Sequence, residues 1–380
     1  MKMINSQLFF KALLLLTANW AGIFLAHQLI AQTPPTLHKE IVFGQSGTFS
    51  GSLGLYGTSI KKAITLCFHA TNERGGVNGN QLRLESLDDN GDPQQTAHNV
   101  ALLCNQGISM FLGSMGMRSI LKLLPQIEAR DIALFFPWGS DELLRNQNLS
   151  SVINGPGLLE PQIKALVDHI VNNLKQKKIA IFYADDDFST SAKDDLVALL
   201  NKNGLTAVST SSYNRFTMNI VAAANQLIKS DPKVVICLAT SMPTVRLINH
   251  FFECGHYATK FFGIDSTLFV GNILRSKGVD FYYTSAIPDP VTSQIRIAQQ
   301  YREDLKKYLP NETPNILSFT YYLSAAIIVE ALKKIDGPVT KEKIISQIET
   351  MHDYNCGGFI VNFDPTTRHA YGSTITLIKG

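Results

Sequence analysis

The loop from Gly113 to Arg118 carries a hydroxyl and a guanidinium to the end of an apolar run, Ser109 to Leu112. An arginine where a strand ends and a helix begins can clamp a carboxylate through two parallel hydrogen bonds. The alternative is a solvated arginine in the first helical turn, where the helix dipole disfavours positive charge. Trp138 follows the next apolar run and either stacks on a ligand or walls the same cleft, while Tyr56 borders it or packs against its own helix. This pattern indicates a binding cleft, with Ser114 inside it.

Two groups of side chains suggest metal binding, and neither fits. Asp185 to Asp187 lack the alternating spacing and glycine bend of a calcium loop, so solvated loop charge is expected. His250, Cys254 and His256 lack the fourth ligand and matching shell that zinc requires, so no metal is predicted.

The common catalytic and nucleotide-binding motifs are also missing. Gly51, Gly54 and Gly57 are spaced GxxGxxG, which differs from the GxGxxG fingerprint of dinucleotide-binding loops. The sequence contains no GxSxG or HExxH motif and no legible pair of nucleophile and base. An enzyme is therefore not predicted, and no cofactor is expected.

The predicted elements place these loops at strand ends. The apolar run Ile41 to Phe43 leads through a glycine- and serine-rich loop into a helix whose buried face is spaced i, i+4, i+7 and which ends at Asn72 to Gly76. A second strand, Leu82 to Leu87, ends in the turn Asp88 to Pro93. Such a βαβ unit belongs to an open parallel sheet, which binds ligands at the carboxyl ends of its strands.

The same alternation of strand and helix continues along the chain and restarts after Gly155 to Gly157. Ile287 to Pro290 forms a second break, after which the helices return to the first domain and the C-terminal strands make a third crossing. Further strands are predicted at 109–112, 132–136, 179–183, 207–210, 234–238, 260–264, 281–284, 357–363 and 373–378. Further helices are predicted at 160–174, 191–202, 217–229, 244–253, 291–308 and 315–334.

Composition limits the function classes. The 380 residues suggest about two domains, and a 45% apolar fraction supports a packed core. A net charge of +3, without a basic stripe, argues against a nucleic-acid partner. The five cysteines are an odd number for an exported chain, and small core hydrophobes are their expected role. All except Cys356 lie in apolar contexts, and their pairing is left open.

The N-terminus predicts export. Lys2 and Lys11 precede an apolar segment, Ala12 to Ile30, and a polar, proline-broken exit follows Ala31. Residues 1–31 are therefore predicted to be a secretory signal peptide, the alternative being an uncleaved anchor because the segment is long and Leu29 is large for its position. No later stretch is expected to span a bilayer.

Five segments in order resemble the leucine/isoleucine/valine-binding type of periplasmic solute-binding protein: SGTFSGSLGLYG, NERGGVNG, DDNGDP, PWGSDELLR and YADDDFS. The resemblance covers the chain from about Ile41. It implies an α/β fold, a type I periplasmic binding protein with two flavodoxin-like (Rossmann-like) lobes joined by three crossover segments. Lobe I would comprise 40–155 and 288–355, and lobe II 156–287 and 356–380.

The resemblance also assigns the residues that would hold a ligand's carboxylate. The paired serines of the family fall at Gly116 and Met117, whose backbone amides remain able to donate at a helix N-terminus. A small polar position of the family is matched by Gly139 and Ser140. A disulfide of some members would need cysteines at Gly91 and Gly116 and is absent.

Three more positions carry over from the second lobe. The family's two aromatic positions fall at Phe188 and Ser241, and its acidic residue for the α-ammonium falls at Asp265, one methylene shorter. Asp265 can instead cap the helix predicted to begin near Thr267. The lost serine and aromatic side chains predict weak or no binding of leucine.

The resemblance implies a monomeric, non-catalytic protein of the periplasm. Its ligand would be an amino acid or a related small carboxylate or amide, bound in the cleft by hinge closure, and its partner an inner-membrane ABC permease. The alternative is a periplasmic sensory module that passes its bound state to a signalling receptor.

Overall fold

A computed structural model describes residues 39–138, 144, 147–155, 159–372 and 375–379. The segment from Glu40 onward forms one compact unit. The predicted signal peptide, Gly139 and Ser140 lie outside the described residues.

The first sheet is parallel and five-stranded, in the order β2-β1-β3-β4-β5. Since all its strands run the same way, their carboxyl ends and loops meet at one edge. Its strands are β1 (Glu40–Gly47), β2 (Gln81–Asp88), β3 (Met110–Leu112), β4 (Ala133–Phe135) and β5 (Val152–Ile153).

The second sheet is six-stranded, in the order β14-β10-β9-β8-β6-β7, and only β14 is antiparallel to its neighbour. Its strands are β6 (Ile179–Ala184), β7 (Ser209–Tyr213), β8 (Val234–Leu238), β9 (Lys260–Ile264), β10 (Phe281–Ser285) and β14 (Thr376–Lys379). The two sheets with their helices are called the first and second lobes below, and they confirm the predicted two-lobed α/β class.

Helices follow the strands as the alternating pattern predicts. The described helices are α1 (Gly54–Glu73), α2 (Pro93–Asn105), α3 (Met117–Leu121), α4 (Leu124–Glu128), α5 (Leu159–Asp168), α6 (Asp187–Lys202), α7 (Val221–Lys229), α8 (Ser241–Glu253), α9 (Val270–Leu274), α10 (Arg296–Tyr308), α11 (Ile316–Lys333) and α12 (Lys341–Glu349). The chain does return to the first lobe after β10, because α10 and α11 pack against α1.

The C-terminal strands divide between two neighbourhoods. β11 (Tyr354–Cys356), β12 (Phe359–Asp364) and β13 (His369–Tyr371) form a small sheet of their own. β11 contacts α11 and β12 contacts α12, while β14 alone pairs with the second sheet. The segment after β5 contacts the segment at β13: Asn154 N donates to Arg368 O (2.7 Å), and Ala370 N donates to Asn154 O (3.2 Å). The lobe boundaries given above stay predictions.

Helix α11 corrects one expectation from sequence. By length and composition it is able to span a membrane, so the expectation that no stretch after the N-terminus is apolar enough was wrong. However, 83% of its most apolar window is buried within the fold. An apolar face all around a helix is also what a central core position requires, and α11 fills that role between α1 and α12.

The cysteines divide by burial. Cys67, Cys237 and Cys356 are buried, as expected for small core hydrophobes, and here Cys356 departs from its predicted polar setting. Cys104 and Cys254 are exposed, which contradicts the core role for these two, and all five thiols are free.

A buried carboxylate organises the glycine- and serine-rich loop after β1. Asp89 is 0% exposed and accepts hydrogen bonds from the hydroxyls of Ser46 (3.0 Å), Thr48 (3.0 Å) and Thr96 (3.1 Å) and from the amide of Gly91 (3.0 Å). Each donor lowers the desolvation penalty of the charge. The network ties the loop after β1 to the turn after β2 and to α2, which fixes the start of α1.

Asp89→Ala is expected to lower the free energy of unfolding by about 3 kcal/mol, because three buried hydroxyls and the Gly91 amide lose their acceptor. The matched control is Asp92→Ala in the same turn, which removes an exposed helix cap bonded to Gln94 N (2.9 Å) and should cost about 1 kcal/mol. Urea unfolding of the purified variants measures both. Equal costs would contradict an organising role for Asp89.

Candidate functional site

Tyr56 crosses from the first lobe to the second. It lies in the first turn of α1, is 3% exposed, and places its hydroxyl 3.1 Å from the Ser266 carbonyl oxygen, to which it donates. Ser241 N donates to the Tyr56 hydroxyl (2.9 Å), and the Ser241 hydroxyl lies 3.0 Å from it. Burial raises the pKa of Tyr56, and the hydrogen bonds from Ser241 partly offset that rise. Tyr56 thus joins two loops of the second lobe.

Gly57 explains how α1 comes close enough for this contact. A Cβ atom at Gly57 would lie 1.9 Å from the carbonyl oxygen of Thr48. The helix therefore starts directly against the loop that Asp89 holds, and Tyr56 is directed by that packing.

Trp138 and Ser114 form the first-lobe wall of the site. The Trp138 ring stacks on Tyr56 with ring centroids 5.2 Å apart. Trp138 N donates to Ser114 O (2.9 Å), and Gly116 N donates to Trp138 O (3.2 Å). The Gly116 amide is therefore already used, which corrects the expectation that it is free for a carboxylate; of that pair, Met117 at the start of α3 remains as the candidate donor. Ser114 Oγ is buried and has no hydrogen-bond partner in the described part of the chain.

Asp265 forms the second-lobe wall. Its carboxylate accepts a hydrogen bond from Gln162 Nε2 (3.0 Å), and its amide donates to Gln162 Oε1 (3.3 Å). Burial raises the pKa of Asp265, and the bonds from Gln162 and from the Ser266 backbone partly offset it. Asp265 is the first residue of the 3-10 turn Asp265–Thr267, whose cap position is Ile264, and the capping alternative stays a prediction.

Two buried tyrosines interact electrostatically with Asp265. Tyr321 of α11 and Tyr283 of β10 are 3% and 5% exposed. Burial is the main cause that raises the pKa of each tyrosine. The charge of Asp265 raises the pKa of Tyr321 further, and the charges of Asp289 and then Asp265 do so for Tyr283. Tyr321 lies on α11, which packs against α1 of the first lobe, whereas Asp265 follows β9 of the second sheet, so this electrostatic interaction links the two lobes.

Ser241 opens α8, and its side chain is 1% exposed. Its hydroxyl accepts a hydrogen bond from Phe269 N (3.1 Å), and the Phe269 ring meets Tyr56 edge-on at 5.3 Å. The structure thus brings Tyr56, Ser114, Trp138 and Ser241 together, and Asp265 directly precedes Ser266, whose carbonyl oxygen accepts the hydrogen bond from Tyr56.

Phe188 and Arg118 have other contacts. Phe188 is partly buried against the hydrophobic cluster formed by α5, α6 and the second sheet. Arg118 is exposed, and its guanidinium carbon lies 6.0 Å from the ring centroid of Phe216, a second-lobe side chain that is 71% exposed. Arg118 therefore contacts an aromatic ring of the second lobe. That it clamps a carboxylate of the ligand stays a prediction.

The two suspected metal groups have other partners. Asp186 caps α6 through Ser189 N (2.8 Å) and pairs with Arg215 (3.3 Å). His250 Nε2 lies 2.8 Å from Asn225 Oδ1, and the His256 ring packs on Phe251. No group of three or more metal-ligating side chains occurs within the described ranges.

Gln162, Phe269 and Tyr321 were missed by the sequence reading. Gln162 carried a usable signal, because it lies one turn before Leu166 and two before Ile170 on the apolar face of its helix, and it is 1% exposed. A polar residue on such a face needs a buried partner. Phe269 and Tyr321 look like ordinary core aromatics in sequence.

The sequence of this chain is similar to that of known proteins. Residues 40–377 match the family model described as "Periplasmic binding protein". Leu/Ile/Val-binding protein homolog 3 of Brucella melitensis is 22% identical over 198 residues, which are 52% of this chain and 54% of that protein. The chain therefore spans about half the length of this relative.

Solved structures show the same fold over most of the chain. A possible leucine/isoleucine/valine-binding protein from Rhodopirellula baltica has a TM-score of 0.81 at 20% identity, covering 92% of this chain and 96% of that one. A branched-chain amino acid transporter substrate-binding protein from Streptococcus pneumoniae, in complex with isoleucine, has a TM-score of 0.75 at 16% identity, covering 90% and 100%.

Proposed function

Because the chain belongs to the periplasmic binding protein family, we propose that it captures an amino acid or a related small carboxylate or amide by hinge closure and presents it to an inner-membrane ABC permease. The family consists of non-enzymatic ligand binders, so the protein is a binder and not an enzyme. The family is periplasmic, and we propose that residues 1–31 direct the export.

The observation that carries the proposal is Asp265. Within the described residues, the contacts given for the buried Asp265 carboxyl come from a neutral amide, Gln162, and from the Ser266 backbone, and neither is a positive partner. Removing a charge from water is unfavourable unless it is paired. The α-ammonium group of an amino acid would provide that partner through charge-assisted hydrogen bonds.

The carboxylate end of the ligand would meet the first lobe. Ser114 Oγ is a buried hydroxyl with no described partner, and a buried polar group of this kind calls for one. We assign the ligand carboxylate to Ser114 Oγ and the Met117 amide, with Gly139 and Ser140 as further predicted contacts. Binding would then bridge the lobes, because the opposite ends of the ligand contact opposite walls.

The names of the relatives support the ligand class. One relative is called a Leu/Ile/Val-binding protein, and a structural neighbour contains isoleucine. That neighbour is a transporter component, which supports an ABC permease as the partner.

A thermal-shift screen of the purified protein tests the proposal. Amino acids, dicarboxylates and amides are added singly. A true ligand stabilises the folded protein by mass action, by about 2.7 kcal/mol at a hundred times its Kd, and so raises the melting temperature. An amino acid should stabilise the protein, whereas its decarboxylated amine and its deaminated acid should not. No stabilisation by any of these compounds would reject the proposed ligand class.

The affinity is expected to depend on pH through Asp265. Since burial raises the pKa of this carboxyl above its ordinary value of 3.8, acidification protonates it earlier than an exposed aspartate. The neutral acid cannot pair with an ammonium group, so binding should weaken as the pH falls through the raised pKa, and above it binding should be independent of pH. The folding stability of the ligand-free protein has the opposite pH dependence: it rises as the pH falls, because protonation removes a buried charge. Calorimetric titration across this range, with Asp265→Asn as the pH-independent control, measures it.

A further inference from the structure

The N-terminus of α8 has an unusual partner. The first amides of a helix lack an intrahelical acceptor, and they are normally satisfied by a side-chain cap, water or a ligand. In α8 the cap residue, Thr240, makes no side-chain cap bond. The acceptor for Ser241 N is the phenol oxygen of Tyr56, at 2.9 Å, which comes from the other lobe.

The hydrogen bonds of this phenol form a complete set. Its O–H donates to Ser266 O (3.1 Å), and it accepts from Ser241 N. The phenol also lies 3.0 Å from the Ser241 hydroxyl oxygen, to which it can donate instead of to Ser266 O, and that oxygen accepts from Phe269 N (3.1 Å). All three partners of the Tyr56 hydroxyl belong to the second lobe, so these hydrogen bonds form only when the lobes are together, and water replaces them when the lobes separate.

The ring is held as firmly as the hydroxyl. Trp138 of the first lobe stacks on it at 5.2 Å, and Phe269 of the second lobe meets it edge-on at 5.3 Å. Aromatic pairs at these distances are favourable beyond the area that they bury. The short side chain of Ser241 leaves the helix N-terminus accessible to so large a ring.

We propose that Tyr56 is a latch that stabilises the closed arrangement of the lobes by acting as an internal ligand of the α8 N-terminus. The latch consists of Tyr56, Trp138, Ser241, Ser266 and Phe269. It goes beyond the proposed function, because its contacts involve only residues of this chain. Opening breaks the latch, so the population open to a ligand is reduced, and the apparent association rate falls with that population.

The test is the radius of gyration of the ligand-free protein by small-angle X-ray scattering. The wild type should match the value calculated for the closed structure, and Tyr56→Phe, which keeps the ring and removes the hydroxyl, should be measurably larger. Ser241→Ala keeps the amide donor and should give an intermediate value. The control is Tyr322→Phe, which removes a buried hydroxyl bonded to Asp304 (2.5 Å) within the first lobe and should leave the radius unchanged.

Two results would overturn the latch. One is a wild-type radius that fits separated lobes, and the other is a folded Tyr56→Phe protein with the wild-type radius; if that variant fails to fold, Ser241→Ala decides in its place. For a ligand found by the screen, stopped-flow association should be about tenfold faster in Tyr56→Phe. Because the scattering experiment uses empty protein, failure of the ligand class leaves its result intact.

Discussion

Asp265→Ala is expected to weaken amino-acid binding by at least about 100-fold, because the ligand's ammonium group loses its carboxylate inside a closed cleft. The fold should stay intact, since burial raises the pKa of Asp265 and so disfavours its charge in the empty protein. Isothermal titration calorimetry measures the affinity, and thermal unfolding measures the stability.

Two companion variants separate charge from shape. Asp265→Asn keeps the size and can keep the hydrogen bond with Gln162, so a comparable loss would assign the effect to the charge. Asp280→Ala removes an exposed aspartate that pairs with Lys379 (2.6 Å), and it should leave affinity unchanged. Affinity for the screened ligand that is unaltered in Asp265→Ala would overturn the assignment of the ammonium site.

Gly57→Ala is expected to lower the free energy of unfolding by about 3 kcal/mol, because the added methyl group cannot occupy a position 1.9 Å from Thr48 O. Relief requires α1 to move away from the β1 loop, which would carry Tyr56 out of its contacts. Chemical denaturation measures the loss, and ligand affinity should fall with it.

The control for this change is Gly155→Ala. Among the described residues, its added Cβ would meet nothing closer than Phe136 Cβ at 3.8 Å, an ordinary contact. A cost at Gly57 no greater than at Gly155 would mean that α1 relaxes freely, and the close approach would then have no structural importance.

The strands were the part of the fold most open to prediction. Val234–Leu238 and Lys260–Ile264 have the predicted bounds, because a short apolar run between polar turns has few alternatives in an α/β chain. Helix starts were predicted less well: those of α7 and α10 were placed too early, and those of α6 and α8 too late. α6 begins at Asp187 and α8 at Ser241, since capping and small residues in a first turn look like loop in the sequence.

The residues of the candidate site could be predicted within each lobe, but the contacts between the lobes could not. Asp265 and Trp138 follow strands, and strand ends are where such folds bind ligands. The contact between Tyr56 and Ser241 was not predictable, because their 185 positions of separation say nothing of how the lobes meet. Periodicity describes one element, whereas this hydrogen bond depends on the placement of two lobes.

The stacking of Trp138 on Tyr56 also supplies a natural optical probe. The sequence has two tryptophans, and Trp20 lies in the predicted signal peptide, so a chain processed after Ala31 retains only Trp138. When the lobes separate, Phe269 and Ser241 of the second lobe would leave the phenol ring on which the indole stacks, and the surroundings of the indole would change. The emission spectrum of the unlabelled protein would therefore follow opening in real time.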